Sequence, residues 1–417
     1  MLTLVNKITH KHIAFAINIL VALFFVTVLA FKKGYSYVPM TLAALSMGYL
    51  SIYSFKLKKK WILDKNDKWM IFSFLFYFSG FLMSVILHKD GFREIDNPSR
   101  VLLLIPLILL FSQFKIHPKT VFYAIPIGSA VTGLLAIYQK VFLGEDKAFT
   151  EVTHHIQSGN ISVTLSMLSL AISIYWLIQK EHKVMAICMI CSLLGIVSSA
   201  ISGARGGWIC LPFILITILF FYRHFLNKKI VLTASIIFIA IVSAIASIPK
   251  FGVIQRYYQA EKDIVQYIEK GNKNSSLGAR FDMWENALLG IKEKPVLGWG
   301  SKGYIELKKQ QVKQKTMVKP TLQYNDAHNQ YLDSWVKRGL LGFVGLLLVL
   351  LVPLKYFIKN IKCENIEVKS ISILGTIHII ATMFYFLSQT FLAHNSGSIF
   401  YFFSIVLFYG LLRSAKI

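Results

Sequence analysis

The chain has 417 residues, of which 55% are apolar or aromatic and only 16% are charged. A soluble domain is about 45–50% apolar and about 25% charged, so this composition indicates a membrane protein and excludes disordered, fibrous and disulfide-scaffold classes. The net charge of +25 would suggest nucleic acid binding in a soluble protein. In a membrane protein it follows from the Lys and Arg that collect in short cytoplasmic loops, so we expect no nucleic acid partner.

Long apolar stretches predict about twelve transmembrane helices, at about 20 residues for each span. The predicted spans are residues 13–31, 37–55, 69–87, 101–112, 120–139, 161–179, 184–201, 208–222, 230–248, 339–358, 370–392 and 399–412. This pattern divides the chain into residues 1–248 with nine spans, a large loop at 249–338, and residues 339–417 with three spans. The predicted fold is therefore an all-α polytopic membrane protein.

The loops alternate in their content of basic residues. With the N-terminus inside, the cytoplasmic segments hold 20 Lys and Arg, against eight in the short segments on the other side. This asymmetry sets membrane topology. It predicts that both termini are cytoplasmic and that the large loop is periplasmic.

The large loop has a helical pattern of its own. Apolar residues recur at helical spacing over 254–268, which predicts an amphipathic helix along the membrane surface. A second helix is predicted to end near Pro295, before the turn Gly298–Gly300 and a basic stretch over 308–319. We expect a last helix, carrying His328, to run into span ten.

Two arginines on the predicted outer face suggest an anion site. Arg205 lies in the tight loop 202–207 with glycines close to it, and Arg280 opens the second loop helix. A guanidinium presents a planar fork to phosphate oxygens, and a helix N-terminus also favours anions. The ordinary alternatives are a snorkelling anchor for Arg205 and a solvated helix charge for Arg280.

His328 and Asn329 are followed by nine residues and then by Gly339 and Gly342, in the arrangement Gly-x-x-Gly. An imidazole can take a proton near neutral pH, and Asp326 or Asp333 could orient it. Glycines allow a helix to pack closely. Taken alone, such a histidine is usually just an interfacial side chain.

This pattern resembles the O-antigen ligase and Wzy-type polymerase superfamily, whose motif is H[NSQ]-x9-G-x-x-G. The sequence Gly278-Ala279-Arg280, the turn from Pro295 to Gly300 and the span layout are also similar to that family. The resemblance implies a metal-independent, cofactor-free, inverting glycosyltransferase of the GT-C type, with its active site on the periplasmic face of the inner membrane. Arg280 and Arg205 would hold the diphosphate, and His328 would act as the general base.

The resemblance also implies the substrates, which are an undecaprenyl-diphosphate-linked glycan and a lipid A-core acceptor, both embedded in membrane lipid. We expect Asn329, Gly339 and Gly342 to contact them. The basic stretch could contact the acidic core of the acceptor, and its candidate residues are Lys308, Lys309 and Lys313.

Three other functions remain open from sequence. Two lie within the superfamily, a Wzy-type polymerase and a protein O-oligosaccharyltransferase. The third, a lipid-linked glycan transporter, is disfavoured because the predicted spans contain only Lys355 and His378 as ionisable residues. The pair His154–His155 and the pair His394–Asn395 are given no chemical role, no metal site is predicted, and the oligomeric state is left open.

Overall fold

The computed structural model describes residues 2–204, 206–227 and 253–415, with isolated residues between 229 and 249. The described part contains fifteen α-helices with defined bounds and no β-strand. In chain order the helices are α1 (Leu2–Thr27), α2 (Gly34–Ser51), α3 (Lys65–His88), α4 (Asp96–Leu104), α5 (Pro106–Gln113), α6 (Pro118–Val141), α7 (His155–Ile178), α8 (His182–Ser202), α9 (Cys210–Tyr222), α10 (Val253–Lys270), α11 (Ser276–Glu293), α12 (Gly300–Lys313), α13 (Gln330–Ile361), α14 (Ile366–Tyr385) and α15 (Asn395–Ala415).

The described helices confirm an all-helical polytopic membrane protein. Ten of them or their extensions are long and apolar enough to cross a bilayer, and they coincide with ten of the predicted spans. The predicted span 208–222 corresponds to a shorter apolar helix, Gly206–Tyr222. The predicted span 230–248 lies outside the continuously described residues.

The shortest predicted span, 101–112, is the second half of a longer broken helix. The helical segment runs from Phe92 to Gln113, and only Ile105 separates the end of α4 from Pro106, which begins α5. Proline fits the first turn of a helix because the amide hydrogen it lacks would have no partner there. The predicted run was short because polar residues such as Asp96 and Arg100 occupy the first half of this helical segment, and the break at Ile105 does not end the span.

Helix α15 forms the centre of the bundle. Every residue from Ser396 to Leu412 is buried, and α2, α4, α5, α7 and α14 pack around it. Aromatic rings fill the interface, and the ring of Phe403 lies 4.6 Å from that of Phe24. Helix α15 therefore fills the interior of the bundle.

One end of the bundle collects the polar segments that concern function. The hydroxyls of Thr153 and Ser396 lie 2.9 Å apart, which joins the start of α7 to the start of α15. The amide of Gln330 donates to the Phe386 carbonyl at 2.8 Å, which joins α13 to the end of α14. We call this end the loop face, because the segment 253–329 packs on it.

At the opposite end, a buried ion pair links α3 to α15. Both carboxylate oxygens of Asp67 lie within 2.8 Å of Arg413 Nη1, and one of them accepts the Tyr409 hydroxyl at 2.6 Å. The Asp67 side chain is fully buried. The sequence placed Asp67 just outside a predicted span, so this buried charge was not expected.

The helices of the large loop match two of the sequence predictions and differ from two others. Helix α10 covers the predicted amphipathic segment, and α11 ends two residues before Pro295. The basic stretch begins inside a third helix, α12, that was not predicted. His328 lies just before α13 rather than within a helix, so that expectation was wrong.

Candidate active site

The backbone at His328 adopts a conformation that non-glycine residues rarely take. Its φ of 47° lies in the left-handed region, immediately before Asn329 caps α13. The Oδ1 atom of Asp326 accepts the His328 amide at 2.8 Å and stabilises this turn. Backbone strain of this kind clusters at functional sites, where it fixes the direction of a side chain.

Two neighbours hold the imidazole of His328, and a third residue holds one of them. Its Nδ1 lies 2.9 Å from Asp326 Oδ1, and the ring of Tyr324 packs 4.8 Å away. The other Asp326 oxygen accepts the Thr390 hydroxyl at 2.9 Å. Although burial raises the pKa of Asp326, the hydrogen bond and charge of His328 outweigh it, and the net pKa lies below its usual range.

This arrangement leaves the second ring nitrogen of His328 available. Within the described part of the chain, no group hydrogen-bonds to Nε2, and the side chain is 28% exposed. A carboxylate at Nδ1 favours the tautomer with its proton on that atom. In that neutral tautomer, Nε2 is the ring nitrogen that can accept a hydrogen bond.

Two further histidines lie near His328 and Asp326, and the sequence analysis gave neither of them a role. The rings of His154 and His394 lie 5.6 Å apart. Burial lowers the pKa of His394 to about 4, and the charges of His154 and His328 add to this effect. Burial also lowers the pKa of His154, again with a contribution from His328. The imidazole of His394 is therefore neutral near pH 7.

The second candidate carboxylate, Asp333, does not touch the imidazole. It accepts the Ala327 amide at 3.3 Å and pairs with Lys337 at 2.7 Å, and Arg338 lies 3.6 Å away. The ammonium of Lys337 also donates to the Asn325 carbonyl at 2.9 Å. This network is structural, because it fastens the 325–327 segment to the first turn of α13.

Arg280 is half-buried in the second turn of α11. That helix is joined to the His328 segment through Asp282, whose Oδ2 accepts the Val318 amide at 3.1 Å and the Thr321 hydroxyl at 3.3 Å. Three residues beyond Thr321, the ring of Tyr324 packs on His328. The arginine and the histidine thus lie on two segments that are fastened to each other.

Arg205 lies outside the described residues, but the residues on either side of it are described. A Cβ on Gly206 would lie 2.2 Å from the Ser388 hydroxyl, and Ala204 packs against Gly159 of α7. Ser388 belongs to the 386–390 segment that contacts the His328 region. The site role of Arg205 stays a prediction.

The two glycines of the motif make close contacts within the protein. Gly339 interrupts α13 with a φ of 61°, and a Cβ there would lie 2.0 Å from the Val296 carbonyl oxygen. The Cα of Gly342 would be 3.2 Å from a Cβ placed on Gly80 of α3. We expected these glycines to contact substrate, whereas their described contacts are with packed backbone.

The other residues that we predicted to contact substrate fall into two groups. The oxygen of Asn329 accepts the amides of Tyr331 and Leu332, so it caps α13. Lys308 is buried and donates to the carbonyl of Tyr324, and burial lowers its pKa to about 8. These two side chains are committed to the fold, which differs from the prediction. Lys309 and Lys313 are exposed, and Lys309 pairs with Glu306 at 2.7 Å.

Metal ligands are not grouped in the described part of the protein. Across those residues no set of three or more His, Cys, Asp or Glu side chains is arranged to hold a metal ion. The described site consists of imidazoles, one carboxylate and backbone at the junction between the loop and the bundle.

Taken together, the fold and the site define a polytopic α-helical membrane protein with a His–Asp pair at one membrane face. The family model described as O-antigen ligase matches residues 190–347, which include Arg280, His328 and both motif glycines. An uncharacterized protein of Haemophilus influenzae is 53% identical over 401 residues, covering 96% of this chain and 99% of that protein. The chain belongs to the O-antigen ligase superfamily.

Proposed function

We propose that the protein is an O-antigen ligase, which transfers a completed glycan from undecaprenyl diphosphate to a sugar hydroxyl of lipid A-core on the periplasmic face of the inner membrane. The observation that carries this proposal is the partly exposed imidazole of His328, which has Asp326 held at Nδ1 and no described group hydrogen-bonded to Nε2. Membership of the O-antigen ligase superfamily supplies the substrate class.

The reaction follows from this geometry. Nε2 of His328 takes the proton of the acceptor hydroxyl as its oxygen forms a bond to the anomeric carbon. The bond from that carbon to the diphosphate oxygen breaks, and its electron pair leaves with the diphosphate. Attack opposite the leaving group inverts the anomeric centre. A positioned general base typically contributes about 10² to 10⁴ in rate, and the negative charge of Asp326 stabilises the imidazolium that forms.

The leaving diphosphate needs positive charge that is already in place. In the proposal, Arg280 and Arg205 present guanidinium forks to its oxygens, which is electrostatic stabilisation by preorganised groups. The described link from α11 through Thr321 to Tyr324 supports the placement of Arg280 near the reacting atoms.

The test is glycan transfer by purified protein from a lipid-linked donor to lipid A-core. We expect His328→Ala to lose transfer at unchanged protein level, while His182→Ala, an exposed histidine at the start of α8, retains it. Arg280→Lys should be severely impaired because an ammonium cannot reproduce the fork, and Arg93→Lys on the exposed 92–95 turn should not. Wild-type transfer by His328→Ala would overturn the base assignment.

Two further measurements separate this proposal from its rivals. Transfer should persist in a chelator, and loss that Mg²⁺ restores would refute the metal-independent reaction. In a strain lacking the protein, long carrier-linked chains beside bare core are expected for a ligase. Core bearing a single repeat would instead indicate a polymerase.

A further inference from the structure

A second concave surface lies at the end of the bundle opposite the loop face. It is a groove of about 1030 Å³, bounded by the first half of α1, the start of α6, the start of α14 and the end of α15. Small-molecule sites are typically about 300–1,000 Å³, so the groove can hold a sizeable ligand. The proposed glycan transfer does not use it.

The rim of the groove is strongly basic. Lys11, Lys115 and Lys119 line it together with two histidines, and Glu367 is the single carboxylate among its lining residues. All three lysines are exposed. Basic residues at this end of the bundle are expected from topology alone. Here, however, α1, the segment before α6 and α6 itself place three lysines around one groove and not over a convex surface.

The basic rim is held in place by a buried asparagine. Asn18 of α1 donates from Nδ2 to the Lys115 carbonyl at 3.0 Å. Its Oδ1 accepts the His117 amide at 2.9 Å and the Thr120 hydroxyl at 3.0 Å. The 115–120 segment is therefore pinned to α1, so the groove does not depend on a ligand to assemble it.

One wall of the groove continues as apolar surface along α1. Phe15 is 66% exposed and Ile19 is 44% exposed, and both line the groove below its basic rim. A free phosphate would use only the rim. A molecule with an anionic head and a hydrocarbon chain matches both parts of the surface.

We propose that this groove binds one anionic phospholipid, with its phosphate among Lys11, Lys115 and Lys119 and an acyl chain along Phe15 and Ile19. Lysines near a membrane surface attract anionic lipid by about 1 kcal/mol each, which corresponds to about fivefold in affinity for each lysine. Removing all three charges should weaken binding by about 100-fold.

The experiment uses the delipidated full-length protein in neutral detergent. Binding of dioleoyl phosphatidylglycerol and of dioleoyl phosphatidylcholine is measured by native mass spectrometry, and stabilisation by sodium phosphate is measured by thermal unfolding. The variant replaces Lys11, Lys115 and Lys119 with Gln. The matched control replaces residues 58–60, three exposed lysines that lie outside the groove, with Gln.

We expect phosphatidylglycerol to bind at least tenfold more tightly than phosphatidylcholine, and this preference to disappear in the groove variant but not in the control. Phe15→Ala should weaken lipid binding several-fold although the three lysines of the basic rim are unchanged. This second variant therefore distinguishes loss of the binding site from misfolding. Equal binding of the two lipids, or equal loss in the control, would overturn the proposal. Thermal stabilisation by phosphatidylglycerol is measured in the same way as that by sodium phosphate, and equal stabilisation by the two would assign the groove to the free anion instead.

Discussion

Replacing Asp326 with Asn tests whether the carboxylate acts through its charge. Asn keeps an oxygen that can accept the His328 amide and face Nδ1, both of which meet the same Asp326 atom. Its amide nitrogen can donate to the Thr390 hydroxyl, which can reverse its role from donor to acceptor. The turn should therefore survive, and the change is confined to the negative charge beside the imidazole.

The expected loss of activity follows from the short distance between Asp326 and His328 and from the solvent exposure of their side chains. A charged hydrogen bond exceeds a neutral one by about 1 kcal/mol. At an effective dielectric constant of about 20, opposite unit charges about 4 Å apart attract by about 4 kcal/mol. The side chains of Asp326 and His328 are 24% and 28% exposed, so the true value lies between these limits. We expect kcat to fall by about 5- to 1,000-fold.

The assay is steady-state glycan transfer by purified Asp326→Asn, with both kcat and KM measured. Because the imidazolium exists only as the proton is transferred, kcat should fall while the KM for the donor stays nearly constant. Asp96→Asn is the matched control, since Asp96 is 70% exposed and pairs only loosely with Arg100, at 3.4 Å. A kcat within threefold of wild type, or a change confined to KM, would refute the positioning role of Asp326.

Three other predictions concern stability and are read by thermal unfolding in detergent. Gly339→Ala should lose about 3 kcal/mol or more, because φ is positive and the added carbon would overlap a backbone carbonyl. Gly303→Ala, where the nearest atom is 3.6 Å away, should be tolerated; equal tolerance at both positions would contradict the packing argument. Asp67→Ala should cost about 3–5 kcal/mol by leaving Arg413 without its buried partner, and a loss below about 1 kcal/mol would show that the pair is solvated. The pKa of His394 is lowered from 6.5 to about 4, so its contribution to stability is complete above pH 6.5 and is lost as the pH falls toward 4. His394→Gln should flatten that decline, and an unchanged decline would exclude His394 as its source.

The spans were predictable because a single physical property determines them. Crossing a bilayer requires about 20 apolar residues, so ten spans are confirmed at nearly the expected positions. The capping of α11 by Ser275 and the end of that helix before Pro295 are equally local. Properties encoded within a few residues of each other can be read from one sequence.

The surroundings of His328 were only partly predictable, for a related reason. Asp326 was a candidate because it is two residues away, and the choice between it and Asp333 required the turn geometry. Thr390 and His394 reach the site from the segment between α14 and α15, more than 60 residues along the chain. Local pattern carries no signal for such contacts.

The basic stretch shows where a correct observation led to a wrong expectation. A run of lysines usually marks a solvated surface, yet Lys308 is buried under the Tyr324 carbonyl. Its neighbour Lys309 is exposed. Successive residues of a helix point in different directions, and because α12 was not recognised as a helix, the stretch was treated as one surface.

The spacing between His328-Asn329 and Gly339 places the glycine at a break in α13. Gly339 is the tenth residue of that helix, so nearly three turns separate it from the cap at Asn329. The break at Gly339 admits the turn after α11: the Leu340 amide donates to the Val296 carbonyl at 3.0 Å, and the Trp299 amide donates to the Val336 carbonyl at 2.9 Å. Helix α11, which carries the proposed diphosphate clamp, is thereby fastened to the same helix that begins at the general base. The break at Gly339 thus determines where the end of α11 is fastened along α13, and in the proposed reaction this glycine acts through packing rather than by contacting substrate.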